Sequence, residues 1–114
     1  MQLESTKYLF DVQSAARTLA GFVAGRDGDS RQRDAMLRAA VERQFEIIGE
    51  ASSQLGRRDS TLLARIPDHR RIIAFRNILI HGYADVDDAL AWDIVQTRLP
   101  LLLAQVEALL QRKG

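Results

Sequence analysis

Three side chains with complementary chemistry stand close together in the stretch Arg76-Asn77-Ile78-Leu79-Ile80-His81-Gly82-Tyr83, an R-x4-H-x-Y pattern set among apolar residues. Arg76 offers a permanently charged, planar fork that matches a phosphate. His81 is the side chain whose ordinary pKa lies nearest neutrality, so it can both take and give a proton. Tyr83 adds a hydroxyl. Together they suit phosphodiester chemistry.

Cleaving RNA without a metal requires a group that removes the ribose 2′-hydroxyl proton, a donor for the leaving 5′-oxygen, and positive charge on the crowded phosphorus. His81 can act as acid or base, Arg76 can stabilise the charge, and Asn77 can support them with a neutral hydrogen bond. The expected product is a 2′,3′-cyclic phosphate, and DNA should be inert. The same residues also have a plainer reading. Arg76 could simply answer the acidic face of another helix, His81 could cap the last carbonyls of its own, and Tyr83 could be a half-buried ring with a satisfied hydroxyl. His69, beside Asp68, Arg70 and Arg71, has no such partner pattern and reads as surface.

The elements that must position these groups read as helices. Prolines number two, the chain is 46% apolar, and no alternating β-branched pattern occurs. A first helix is expected from about Leu3 to Val23, with Leu9, Val12, Ala16, Leu19 and Val23 at helical spacing, before the breaker Gly25-Arg26-Asp27-Gly28-Asp29. A second, capped by Asp29 or Ser30, should run to about Leu55 and stop near Gly56, burying Leu37, Val41, Phe45, Ile48 and Ala51. Its polar face carries Glu42, Glu46 and Glu50, a like-charge stripe that needs cations or solvent to answer it. The Glu-x-x-His companion of a di-metal bundle is absent, so no metal or other cofactor is called for.

A short turn is expected at Ser60 to Arg65, and then Pro67-Asp68 opens a third helix through Ile72, Phe75 and Leu79, with Gly82 at its C-terminal cap. The last helix should start near Asp85, Asp87 or Asp88 and end near Gln111, with Trp92, Val95, Leu99, Leu102, Val106 and Leu109 as its buried seam. Pro100 should kink or split it. On an unbroken helix Arg76 and Tyr83 nearly align, but His81 falls about 140° away from Arg76. Convergence therefore requires that the helix end at Gly82, or that a second copy of the motif face the first across a symmetric dimer.

At 114 residues the chain fits one domain with a core of its own. Cysteine is absent, which excludes disulfides, thiolate metal sites and a thiol nucleophile. No apolar run approaches a membrane span, and Met1-Gln2-Leu3-Glu4 lacks the start of a signal peptide, so a soluble cytoplasmic protein is expected. A net charge of +1 supplies no bulk attraction for nucleic acid, so any RNA contact must come from local clustering. Lys7 and Lys113 are the only lysines. All other cations are arginine, the better fork for phosphate, although composition alone is weak support because a high-GC genome gives the same bias.

The sequence resembles a HEPN domain, and more narrowly the HepT-type toxins encoded beside a minimal nucleotidyltransferase antitoxin. The resemblance runs through Tyr8-Leu9-Phe10-Asp11-Val12, Ile47-Ile48-Gly49-Glu50-Ala51, Ile66-Pro67, the motif from Arg76-Asn77 to His81-Gly82-Tyr83, Val86-Asp87, Trp92-Asp93-Ile94-Val95 and Leu99-Pro100. It departs from that pattern at Asp68, where a tryptophan commonly follows the proline, and at Ala84, where an aromatic commonly follows the tyrosine.

The resemblance implies one HEPN domain over residues 1–114, an all-α, antiparallel up-down bundle of four main helices, and a homodimer whose two motifs line a shared cleft. It implies the toxin of a type VII toxin–antitoxin system, a metal-independent endoribonuclease using Arg76 and His81. It also implies that the partner nucleotidyltransferase silences the toxin by moving AMP from ATP onto Tyr83. Two other readings remain beside it: a non-catalytic nucleotide- or substrate-binding subunit of a nucleotidyltransferase, and a purely structural dimerisation domain.

Overall fold

A computed structural model describes residues 2–24, 35–67, 69–71, 73–74 and 96–111. Four helices are defined: α1 (Leu3–Val23), α2 (Ala35–Arg58), α3 (Ser60–Leu63) and α4 (Leu99–Gln111). Helical backbone also occurs at 69–71, 73–74 and 96–97, and no strand occurs among the described residues. The fold is thus mainly helical, as the apolar spacing implied.

The 3-4-3 spacing of Leu9, Val12, Ala16 and Leu19 puts all four on one face of α1, where each is buried. Gln2, before the helix, has extended backbone and makes no side-chain cap. Its carbonyl instead accepts from both the Thr6 backbone N–H at 3.0 Å and Thr6 Oγ1 at 3.1 Å. Opposite lies α2, which buries Leu37, Val41, Phe45, Ile48, Ala51 and Leu55 at steps of three and four. These two helices are antiparallel, because Arg58 at the end of α2 pairs with Glu4 at the start of α1. α1 also packs on α4, whose Leu99, Leu102, Val106 and Leu109 join the same core.

α2 passes through Gly56 and ends at Arg58, three residues beyond the expected Leu55. The reason is steric. A Cβ on Gly56 would lie 2.7 Å from Leu63 Cδ2, so the missing side chain admits α3 against the last turn of α2. Asp59 then starts α3, its Oδ1 accepting from Leu62 N at 2.9 Å.

In α4, Pro100 is the second residue, where the first turn has no intrahelical use for a backbone N–H. A turn at Arg98 separates α4 from the helical residues 96–97, and the Arg98 carbonyl accepts from Leu102 N at 3.0 Å. Trp92 and Val95, expected in the same buried seam, lie outside the described residues, as do the Asp29 or Ser30 cap and Ile72, Phe75 and Leu79 of the expected third helix.

Candidate functional site

Arg76, Asn77, His81 and Tyr83 all lie outside the described residues, whereas most of the chain leading to them is described. That approach is firmly tied. Asp59 N donates to the Leu55 carbonyl at 2.7 Å, Ile66 N to that of Leu63 at 2.9 Å, and His69 N to that of Ile66 at 3.0 Å. Ile66 is 1% exposed, so an apolar anchor in the core fixes the point from which the next helical segment departs. Pro67 follows it, and helical backbone is in place from His69.

His69 is half-buried rather than a surface residue. Its Nδ1 faces the Ile66 carbonyl, which can only accept, so the ring proton sits on Nδ1. The imidazole thus reinforces the turn that begins the motif-bearing segment. Sequence offered a weak signal for this role, a histidine three residues after an apolar residue that precedes proline.

Two of the three glutamates in the α2 stripe have partners on their own helix. Glu46 pairs with Arg43 at 3.4 Å on the same helix, and Glu50 accepts from Gln54 Nε2 at 3.1 Å. Both glutamates line a groove of about 290 Å³ between α1 and α2, together with Lys7, Tyr8, Asp11 and Arg43. Lys7 lies 3.9 Å from Asp11 and 5.3 Å from the centre of the Tyr8 ring. Each cation in this groove already has a carboxylate partner. A phosphate would have to displace those carboxylates, so the groove is a poor competitor to the motif as an active site. No group of three or more metal-ligating side chains occurs among the described residues.

Comparison with known proteins decides the family. A family model described as ribonuclease HepT-like matches residues 12–109, a span that includes Arg76, Asn77, His81 and Tyr83. The chain belongs to the HepT-like ribonuclease family. A Methanocaldococcus jannaschii protein named as a candidate RNase is 33% identical over 100 residues, covering 88% of this chain and 91% of that protein. A Thermococcus cleftensis protein named "Probable ribonuclease HepT" is 31% identical over 109 residues, covering 96% and 98%. A third relative, named as a candidate RNase of Caldanaerobacter subterraneus, is 29% identical over 106 residues, covering 93% and 94%. No solved structure gives a significant match.

The HepT-like match and the buried residues agree on where the common framework lies. It takes in most of α1, and all of α2 and α3, together with the α4 seam from Leu99 to Leu109. No helix among the described residues is long and apolar enough to cross a membrane.

Proposed function

We propose that this HepT-like protein is a metal-independent endoribonuclease toxin, with Arg76 and His81 as its catalytic residues and Asn77 in support. The family match across residues 12–109 carries the reading, since it contains the whole motif. In the reaction the ribose 2′-oxygen bonds to phosphorus while the bond from phosphorus to the 5′-oxygen breaks. The 2′-hydroxyl loses its proton to a base and the leaving 5′-oxygen gains one, so a 2′,3′-cyclic phosphate and a 5′-hydroxyl result. His81 supplies proton transfer and Arg76 the charge on the phosphoryl oxygens.

A complete cleft needs two motifs, so the acting form is a two-fold homodimer of up-down bundles, each chain a single domain with four main helices, the last kinked or split near Pro100. The antiparallel pairing of α1 with α2 supports the up-down bundle within each chain. Regulation falls on Tyr83. AMP placed on its hydroxyl by a cognate minimal nucleotidyltransferase would add bulk and negative charge where an RNA phosphate must enter. The protein works in the cytoplasm as half of a toxin–antitoxin pair.

The test compares three oligonucleotides of one sequence, in RNA, DNA and 2′-O-methyl form, alongside the mass of the protein in dilute solution. Cleavage of the RNA alone by a species of two chains is the expected result. Cleavage of the 2′-O-methyl strand would exclude attack by the 2′-oxygen. A fully active monomer would exclude the shared cleft, and binding of nucleotide without any cleavage would favour the subunit reading.

A further inference from the structure

Arginines crowd the segment that connects α2 to the motif. Arg57, Arg58, Arg65, Arg70 and Arg71 fall within fifteen residues, all of them exposed. Only two carboxylates share this segment, Asp59 and Asp68. Asp59 is engaged as the cap of α3, and Asp68 lies outside the described residues. Arg58 pairs with Glu4, but Arg57, Arg65, Arg70 and Arg71 have no carboxylate partner among the described residues. The exposed arginines elsewhere give a contrast: Arg17 faces Glu107 at 3.1 Å and Arg43 faces Glu46 at 3.4 Å.

Helix energetics account for part of this cluster only. Arg57 and Arg58 sit in the last turn of α2, where cations answer the exposed carbonyls. Arg70 and Arg71 do the opposite. They sit at the start of the helical segment that begins by His69, where a cation opposes the positive end of the helix. Arg65 lies in the turn after α3, with its side chain in solvent. Charge that no carboxylate among the described residues answers, at a position that folding disfavours, points to a ligand that supplies the opposite charge. Hydrogen-bonded turns from Leu55 to His69, anchored by buried Ile66, hold the backbone that carries or adjoins these arginines.

We infer that Arg57, Arg65, Arg70 and Arg71, on the stretch of chain that precedes the motif, form a phosphate track that holds an RNA strand. The inference rests on the ribonuclease reading and adds to it a second, non-catalytic contact surface. It also gives the chain, at a net charge of only +1, a local source of attraction for RNA. Arginine suits this use, because its fork can grip successive phosphates without reading bases.

The experiment measures binding of wild-type protein to a single-stranded 2′-O-methyl RNA, which resists 2′-hydroxyl cleavage, across a range of salt concentrations. Each lost phosphate contact makes the slope of log affinity against log salt shallower by about 0.7. A variant carrying Arg57→Gln, Arg65→Gln, Arg70→Gln and Arg71→Gln should therefore lose about 2 to 3 from the slope, and bind roughly tenfold or more weakly at low salt. Arg17→Gln, a paired arginine elsewhere, should leave the slope unchanged. A triple variant that keeps Arg57 guards against disturbance of the α2 end, and circular dichroism checks that each variant stays helical.

An unchanged slope and affinity in both multiple variants, with RNA cleavage by the wild type intact, would overturn the track and leave the ribonuclease standing. So would unchanged RNA binding with loss of binding to the partner nucleotidyltransferase, which would assign the arginines to a protein interface. Failure of the wild type to bind or cleave any RNA would overturn the ribonuclease reading and the track with it.

Discussion

Arg58, in the last turn of α2, forms an ion pair with Glu4, in the first turn of α1, and so ties together the two ends of an antiparallel helix pair. Each charge also suits its own helix end, the anion at an N-terminus and the cation at a C-terminus. Their side chains are 46% and 55% exposed, however, so solvent screens the attraction. A double-mutant cycle with Arg58→Ala and Glu4→Ala should give a coupling below about 1 kcal/mol, reduced further in 1 M salt. A coupling above about 2 kcal/mol would mean that this pair behaves as a buried one.

Phe45 is the largest fully buried side chain among the described residues, and it sits in the core that α1, α2 and α4 share. Truncation removes a ring that the surrounding helices cannot fully replace. Phe45→Ala should cost about 3 to 5 kcal/mol by urea denaturation, whereas Leu101→Ala, on an exposed face of α4, should cost under about 1 kcal/mol.

Ser5 is fully buried, and its Oγ has no hydrogen-bond partner among the described residues. A hydroxyl withdrawn from water without replacement opposes folding. Ser5→Ala keeps the small volume and raises helix propensity, so it should stabilise the protein by about 1 kcal/mol. Destabilisation by a similar amount would show that the hydroxyl has a partner in solution.

The helices were legible where apolar spacing was long. Leu9, Val12, Ala16 and Leu19 predict the buried face of α1, and Leu99, Leu102, Val106 and Leu109 do the same for α4. Local punctuation misled at Gly56, because glycine there makes room for Leu63 instead of ending the helix. His69 was misread for a related reason: its backbone-directed ring contact depends on the turn at Ile66, which a list of charged neighbours does not reveal. Within the acidic stripe, Glu46 and Glu50 are met by Arg43 and Gln54 on α2 itself, where i,i+3 and i,i+4 spacing already made such partners available. For the proposed site, Arg76, His81 and Tyr83 suggest their chemistry by residue type, and all three fall within the span of the family match. The proposed convergence of these side chains needs a helix that ends at Gly82 or a second copy of the chain, and spacing encodes neither.

Tyr83 is the proposed acceptor of AMP, and Tyr83→Phe removes the acceptor oxygen while keeping the ring. Mass spectrometry after incubation with the cognate nucleotidyltransferase and ATP should find adenylate on wild-type Tyr83 and none on the variant. Its cleavage rate should fall by no more than about tenfold, the equivalent of one hydrogen bond. Adenylate on another residue, or on the variant as readily as on wild type, would refute the assignment.

The most direct test of the central claim is to incubate RNA with purified protein in excess chelator and to identify the new ends. The account predicts 2′,3′-cyclic phosphate and 5′-hydroxyl ends at a rate indifferent to chelator. His81→Ala should lower that rate about 10²- to 10⁴-fold, and Arg76→Ala about 10²- to 10³-fold, with helical content retained in both. Cleavage that requires an added divalent metal, or that proceeds undiminished in both variants, would contradict it.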